Sequence, residues 1–421
     1  MSQAFATGLA VFFLLGMLLN LGFAVYYYKA EKNSTAGLAW GIVAFLYLVQ
    51  AIAFLANRNL AMPYGLREGI DALMGPVTYT VLSIVAFCAF VVFRRTLTKP
   101  HVAWGILNLT MLVSLWAVTD PEFRKIISKP DNVPIPLLIY SVGFFTWLAL
   151  RRGVINDERM ARGEAPLEKL EDEKVLVWPD LVYTELLAMI ICTALLIVWG
   201  ILLKAPLEQP ATSAKAPNPS KAPWYFLGLQ EMLVYYDPWM AGVVLPTFII
   251  IGLIAMPYID FNRHGNGYFT FNQRKFAMFT FMFGFVVLWV TLIVLGTFLR
   301  GPNWNFFGPF ENWDPHKVVP LNNVNVSQIF WLNWLGRPLE GMNPIVRELP
   351  GLFLIFVYLV LLPPFLAKTV MRSFFIRMGF VRFFLLVTLM QFMAALPIKM
   401  VLRWMFNLKY IVYFPEIFFN I

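Results

Sequence analysis

Long apolar runs alternate with short polar stretches along most of this chain. Each run extends over about 16 to 24 residues, long enough or nearly so to cross the roughly 30 Å hydrocarbon core of a bilayer as an α-helix. The pattern predicts about ten spans, at residues 5–28, 36–56, 72–93, 101–118, 135–150, 181–203, 238–258, 276–299, 351–367 and 383–401. We therefore expect an all-α protein, built as a polytopic transmembrane helix bundle. Pro76 is expected to kink the third span near its start.

The composition agrees with a membrane protein. Hydrophobic residues make up 59% of the chain and charged residues only 14%, whereas about a quarter of the residues in a soluble domain are charged. The net charge of +9 comes from Lys and Arg residues spread over the loops. Because they form no basic stripe, we expect no nucleic-acid partner. Polar residues within spans, such as Asn20 and Asn108, are expected to serve helix packing.

The distribution of basic residues also predicts the orientation in the membrane. Loops that follow odd-numbered spans hold more Lys and Arg per residue than the others. The positive-inside rule then places the N-terminus outside, residues 151–180 in the cytoplasm and the loop around Trp224 on the outer side. The first span has no basic segment before it, which indicates a retained anchor rather than a cleaved signal peptide.

The sequence divides into five regions. They are a five-helix N-terminal membrane region of unknown role at 1–150, a charged cytoplasmic connector at 151–180, a three-helix membrane domain at 181–302, a long outer aromatic loop at 303–350, and a two-helix membrane region with a tail at 351–421. The mixed charges of the connector indicate a solvated segment with some helix.

Histidine and cysteine are too scarce for a buried redox centre. The three histidines, His101, His264 and His316, lie at span ends or in loops, whereas a haem b in a helix bundle needs axial ligands inside the spans. Cys88 and Cys192 form no CxxC or CxxCH pattern, so no zinc, iron–sulfur or ordinary c-type haem site is encoded. We expect this chain to bind no metal and no haem.

An aromatic segment between two spans is the main candidate for function. It reads Lys-Ala-Pro-Trp-Tyr-Phe-Leu-Gly-Leu-Gln-Glu over residues 221–231. Pro223 suits the first turn of a helix because it lacks the N–H that would be unpaired there. We expect about three helical turns from there to Asp237, with Trp224, Glu231 and Tyr235 on nearly one face.

The block from Trp178 to about Pro302 resembles the C-terminal part of cytochrome b, which also occurs as the separate three-helix subunit IV of plastoquinol-oxidising complexes. The likeness rests on an opening Trp-Pro-Asp-Leu motif at 178–181 and a Pro-rich outer loop at 204–222. A Pro-x-Trp-Tyr-Phe-like element at 222–226 follows, and a short basic turn at 262–275 joins the next two spans. The resemblance implies that region 181–302 is a subunit IV-like core.

In that family, a Pro-Glu-Trp-Tyr loop lines the outer quinol-oxidation site, and its Glu is thought to accept a quinol proton. Here Trp224 and Tyr225 match the aromatic pair, but Pro223 stands where the family has the acid. The resemblance implies a site for quinol or quinone, menaquinol or another. Its predicted binding residues are Pro223, Trp224, Tyr225, Phe226, Leu227 and Asp237.

Two acids are candidates to replace the missing one. Glu231 is predicted to be the catalytic acid, because it lies two turns from Trp224 on the same helical face and quinol oxidation releases protons on the outer side. A purely structural bond from Glu231 to a neighbouring helix is the alternative. Asp237 is the second candidate, although its position before Pro238 suits a helix N-cap.

The resemblance implies a haem-free subunit of a cytochrome bc-type quinol:cytochrome c oxidoreductase that completes the outer quinol-oxidation site. The expected partners are a haem b-bearing cytochrome b-like subunit, a Rieske iron–sulfur protein, a c-type cytochrome and lipids. They would form a dimeric hetero-oligomeric complex in a bacterial inner membrane. One alternative is a structural scaffold in a respiratory or photosynthetic supercomplex, with a degenerate quinol loop. The other is a transporter, although the paired broken helices with ionisable residues near the midplane that this class predicts are missing.

Overall fold

The computed structural model describes residues 3–56, 61–171, 173–202, 210–214, 216–265 and 267–421. The last residue of the predicted span 181–203 and parts of the predicted Pro-rich loop, at 204–209 and 215, lie outside the described residues. The helices are α1 (Gln3–Lys29), α2 (Ser34–Leu55), α3 (Tyr64–Leu73), α4 (Pro76–Val92), α5 (Arg94–Leu97), α6 (Pro100–Ala117), α7 (Pro121–Ile127), α8 (Pro134–Ala161), α9 (Leu167–Leu170), α10 (Val177–Leu202), α11 (Trp224–Met232), α12 (Met240–Ile259), α13 (Phe271–Leu299), α14 (Pro344–Lys368) and α15 (Arg372–Phe406).

The helices confirm the predicted fold class. Among the described residues, nine helices are long and apolar enough to cross a membrane, or ten if α3 and α4 are counted as one bent span. The break between α3 and α4 lies directly before Pro76, as the sequence predicted. Turns of π-helix occur within α10, α12, α13 and α14, and the loop segment Gln328–Trp334 is also π-helical. Two short antiparallel strands, β1 (Tyr413–Phe414) and β2 (Phe419–Asn420), lie near the C-terminus in addition to the helices.

Several spans are longer than predicted. The predicted span 135–150 continues as α8 to Ala161, and the predicted span 383–401 lies within α15, which begins at Arg372 and is kinked at Gly379, where φ is +75°. Charged residues at the end of α8 and at the start of α15 ended the apolar pattern early, although α8 stays helical and α15 is helical on both sides of its kink. Hydropathy alone therefore gave the membrane-embedded part of each helix and missed its polar extension.

The described residues form two compact units. The first comprises described residues within 1–73, 95–129 and 308–312. In it, α1 and α2 pack along their length, and Phe13 stacks on Phe54 with ring centroids 5.6 Å apart. Gly16 permits this close approach, since a Cβ there would lie 2.5 Å from the ring of Tyr47. Small residues commonly allow such contacts between membrane helices.

A buried amide pair joins α1 to α6 in this first unit. The Asn20 side chain donates to Asn108 Oδ1 over 2.7 Å, and the indole N–H of Trp104 donates to Asn20 Oδ1 over 3.1 Å. Both asparagines are at most 5% exposed. The predicted packing role of these two polar residues is thus confirmed, because each amide meets a partner inside the bundle.

The second unit comprises described residues within 74–94, 130–307 and 313–421. Its core is built around α11, α13 and α15, and it buries Tyr235, Leu292, Leu295, Leu299 and Met400. Helix α12 packs on α15 through a stacked ring pair, Phe248 and Phe392, whose centroids are 4.1 Å apart. This packing fixes the helices that surround α11.

Part of the charged connector is buried, in contrast to the solvated segment that was predicted. The Asn156 amide donates to the Phe269 carbonyl over 2.9 Å, and its oxygen accepts from the N–H of Leu167. Both carboxylate oxygens of Asp157 accept from the N–H of Asn272 at 3.1 Å. Short polar side chains at the end of α8 therefore hold the turn before α13.

The C-terminal tail is fixed to α14 by charged groups. Arg347 donates to Glu416 over 3.0 Å, and the fully buried Glu348 accepts from the N–H of Tyr413 over 3.0 Å. The tail thus packs back on the second unit.

Helix α10 contacts little of its own chain. None of its residues is buried, although the helix is strongly apolar. A helix that is apolar on all sides must be covered by lipid or by other protein.

Candidate functional site

Helix α11 is shorter than the sequence predicted. It begins after Pro223, whose carbonyl accepts from the N–H of Phe226 over 2.8 Å, and it ends at Met232. The next three residues form a tighter turn, in which each N–H bonds to the carbonyl three residues earlier. The expected three-turn helix to Asp237 was therefore wrong by more than one turn at its C-terminal end.

The side chain of Gln230 holds the start of α11 in place. Its oxygen accepts from the N–H of Ala222 over 2.8 Å, and its amide donates to the Ser220 carbonyl over 2.9 Å. Lys221 donates to the Thr297 carbonyl of α13 over 2.8 Å. These bonds fix the loop that presents the aromatic residues.

One side of α11 is buried against α13. Leu227 and Glu231 are 2% and 0% exposed. Two glycines allow the helices to meet: a Cβ at Gly228 would lie 3.4 Å from the ring of Trp289, and a Cβ at Gly296 would lie 3.2 Å from the Leu227 carbonyl. Leu227 therefore supports the helix, although the sequence placed it among the binding residues.

The first turn of α11 carries an exposed aromatic patch, formed by Pro223, Trp224, Tyr225 and Phe226. Tyr225 and Phe226 are 51% and 52% exposed, and Trp224 is half-buried. The ring centroids of Tyr225 and Phe226 are 4.7 Å apart, and Trp224 packs edge-on against Tyr225 at 5.7 Å. Four of the six predicted binding residues thus form one continuous surface.

Glu231 lies in a buried ion pair. Arg300 donates from Nη2 to Glu231 Oε1 over 2.8 Å and from Nε to Oε2 over 3.0 Å, and the Tyr235 hydroxyl donates to Oε1 over 3.1 Å. Burial, together with the negative charge of Glu231, raises the pKa of Tyr235 well above its usual value. Tyr235 therefore contacts Glu231 as predicted, although it lies in the turn after α11 and not on a continuous helical face.

Arg300 connects this pair to the loop that follows α13. Its Nη1 donates to the Trp304 carbonyl over 2.8 Å, and its guanidinium lies 3.6 Å from the centre of the Phe306 ring. A bidentate guanidinium–carboxylate pair has a fixed geometry. The pair thus fixes α11, the end of α13 and residues 304–306 relative to one another.

Asp237, the second predicted acid, is partly exposed. Its carbonyl accepts from the N–H groups of Met240 and Ala241 at 3.0 Å, at the start of the following helix. Its carboxylate accepts from the Tyr410 hydroxyl over 3.0 Å. Burial, followed by this bond to Asp237, raises the pKa of Tyr410 to about 12.

Sequence reasoning missed both partners, Arg300 and Tyr410. Each lies more than 60 residues from its acid along the chain, so no helical spacing relates them. One signal was available for Arg300. An acid in an apolar helix requires a buried counter-charge, and Arg300 is the basic residue at the C-terminal end of α13, the second span after α11.

The comparison with known families agrees with this part of the chain. Residues 210–308 match the family Cytochrome b(C-terminal)/b6/petD. The match confirms the resemblance for α11, α12, α13 and the loop that contains Arg300, whereas α10 lies before it. No solved structure matches this chain.

Proposed function

We propose that this protein is a haem-free membrane subunit of a cytochrome bc-type quinol:cytochrome c oxidoreductase, in which the aromatic patch of α11 forms part of the outer quinol-oxidation site. The family match at 210–308 supports a component of a cytochrome b-type complex. The haem b and the iron–sulfur cluster that such a reaction needs would belong to partner subunits, a cytochrome b-like protein and a Rieske protein. A c-type cytochrome would accept the electrons.

The exposed aromatic patch is the observation that carries this proposal. About half of the Tyr225 and Phe226 surface is uncovered although both rings lie on a well-fixed helix. A quinol ring is flat and largely apolar, so offset or edge-on contact with these side chains would be favourable by about 0.5–1.5 kcal/mol per ring pair. The patch would orient the quinol ring and exclude water from one side of it.

Glu231 acts in this proposal as a positioning residue. Its carboxylate is fully buried, and both oxygens already accept hydrogen bonds from Arg300. The earlier prediction that Glu231 takes the quinol proton stays a prediction, and it requires this ion pair to open. The structural alternative requires no rearrangement and explains the bidentate geometry.

The exposed side of α11 offers no carboxylate to a quinol, because Glu231 is the one acid in the helix. The proton acceptor is then either the partly exposed Asp237 or a group on a partner subunit. Asp237→Asn separates these two cases. A changed pH dependence of quinol oxidation would assign the proton to Asp237, and an unchanged one would assign it to the partner.

The proposal is tested in the native complex with Tyr225→Ala and Phe226→Ala. Each variant should lower kcat/KM for quinol and weaken an outer-site inhibitor by about 3- to 10-fold, the effect of losing one ring contact. Tyr258→Ala is the matched control, since Tyr258 is an exposed tyrosine at the far end of α12. Wild-type turnover and inhibitor sensitivity in both patch variants would overturn the proposal.

A structural scaffold is the second candidate, and a specific observation favours it. Pro223 replaces the acid of the family motif, and the nearby acid is held by Arg300. In a scaffold the aromatic patch would contact a partner subunit instead of quinol. The patch variants would then weaken assembly of the complex without changing the turnover of the assembled fraction.

A further inference from the structure

A long cleft lies between α12, α13 and α15 in the second unit. Its volume is about 1360 Å³. At one end it reaches Met232, the last residue of α11, and at the other it reaches the turn between α12 and α13. At 1.5 Å per residue, α12 alone covers about 21 Å from Leu245 to Ile259, which exceeds half of a roughly 30 Å hydrocarbon core.

The walls of the cleft are apolar and open along one side. Lining side chains such as Ile249, Leu253 and Phe281 are 53%, 64% and 62% exposed. Gly252 leaves space in the cleft, since a Cβ there would lie 3.9 Å from the nearest atom, on Leu389 of α15. An apolar, laterally open cleft of this length suits an extended acyl chain.

The mouth of the cleft at the α12–α13 turn carries excess positive charge. Three arginines line it, Arg263, Arg274 and Arg377, against one carboxylate, Asp260. Asp260 pairs with Arg274. Arg263 and Arg377 are exposed and form no ion pair with any residue that the structure describes; the Arg377 guanidinium lies 5.8 Å from the centre of the Phe261 ring.

The turn that carries Arg263 is well fixed around its polar side chains. Asn262 donates to the Gln273 carbonyl over 2.6 Å and accepts from the N–H of His264 over 3.0 Å. Asp260 in turn accepts from the N–H of Asn262 over 2.9 Å. Arg263 is therefore presented by a preformed turn directly beside the cleft.

We propose that this cleft binds one anionic phospholipid, with its phosphate between Arg263 and Arg377 and an acyl chain along α12 and α15. Guanidinium groups are well suited to phosphate, and basic pockets between membrane helices are common headgroup sites. The third wall, α15, lies outside the matched segment 210–308. The site therefore gives a role to a C-terminal helix that the matched segment lacks, and it does not depend on the proposed function.

Native mass spectrometry of the purified protein tests this proposal. The delipidated protein would be titrated with palmitoyl-oleoyl phosphatidylglycerol and, separately, with the corresponding phosphatidylcholine. We expect one tightly bound phosphatidylglycerol and weaker binding of the choline lipid. Arg263→Gln/Arg377→Gln should weaken phosphatidylglycerol about thirtyfold, from roughly fivefold per lost cation near a lipid headgroup.

Two further variants locate the lipid. Gly252→Leu fills the cleft without removing charge, and it should also reduce binding of phosphatidylglycerol. Arg382→Gln is the control, because Arg382 is an exposed arginine of α15 that does not line the cleft. Unchanged binding in the double arginine variant or in Gly252→Leu would overturn the proposal, as would co-purification of a quinone in the cleft that phosphatidylglycerol cannot displace.

Discussion

Replacing Glu231 by Gln tests whether this acid positions α11 or carries a proton. The change keeps the size of the side chain but removes the charge that faces Arg300. Glu231 is 0% exposed, and the Arg300 side chain is 7% exposed. The variant would therefore leave a guanidinium buried without its counter-charge, which costs about 3–5 kcal/mol.

This loss should appear as reduced stability. At about 2 °C per kcal/mol for a large domain, we expect the apparent midpoint of thermal unfolding in detergent to fall by about 6–10 °C. Glu340→Gln, at an exposed acid in the loop between α13 and α14, should leave the midpoint unchanged. Quinol oxidation should fall at every pH by a similar factor, because the patch is displaced and no titrating group is lost.

A double-mutant cycle isolates the pair itself. Arg300→Gln and the double variant Glu231→Gln/Arg300→Gln complete the cycle, and the coupling energy should be about 2–3 kcal/mol, within the range for directly contacting residues. Wild-type stability of Glu231→Gln, together with a shifted pH profile of quinol oxidation, would contradict a positioning role for Glu231. That result would assign the proton to Glu231.

Three further predictions concern stability. Lys399 in α15 is 1% exposed, and its Nζ has no hydrogen-bond partner among the described residues and lies 5.7 Å from the centre of the Tyr236 ring. Lys399→Met should therefore stabilise the protein by about 1–3 kcal/mol. A lower midpoint of thermal unfolding in this variant would contradict the prediction. Gly16→Leu should destabilise the α1–α2 pair by about 1–3 kcal/mol through overpacking against Tyr47, whereas Gly22→Leu, where a Cβ meets nothing within 4 Å, should be tolerated. The pKa of Tyr410 is raised to about 12 in the folded protein, so the contribution of Tyr410 to stability is present below pH 10 and is lost as the pH rises towards 12. The fall in the midpoint of thermal unfolding at alkaline pH should therefore be shallower in Tyr410→Phe than in the wild type. Identical slopes would count against the Asp237–Tyr410 bond.

The membrane spans could be predicted because they depend on a local property. A run of apolar residues must cover the hydrocarbon core, and this requirement is visible at each position of the sequence. The break before Pro76 was also predictable from a local property, because a proline disrupts the helix at its own position. The helix ends were less predictable, because polar residues at the end of α8 are stabilised by tertiary contacts to the 269–272 turn.

The candidate site was predicted in part. The aromatic patch followed from the motif at 223–226, and the meeting of Glu231 with Tyr235 followed from helical spacing. The burial of Leu227 and the pairing of Glu231 with Arg300 depend on how α11 packs on α13, which no local pattern encodes. The cleft likewise depends on how α15 packs beside the consecutive helices α12 and α13, from which it is distant in sequence.

Photolabelling of the native complex with an azido-quinone shows directly whether quinol binds at the aromatic patch. We expect the label to attach to residues 221–233 and excess quinol to prevent this labelling. Tyr225→Ala should reduce the labelling, whereas Tyr258→Ala should not. Quinol-protected labelling confined to other segments or to partner subunits, with none on α11, would contradict a quinol site at the aromatic patch.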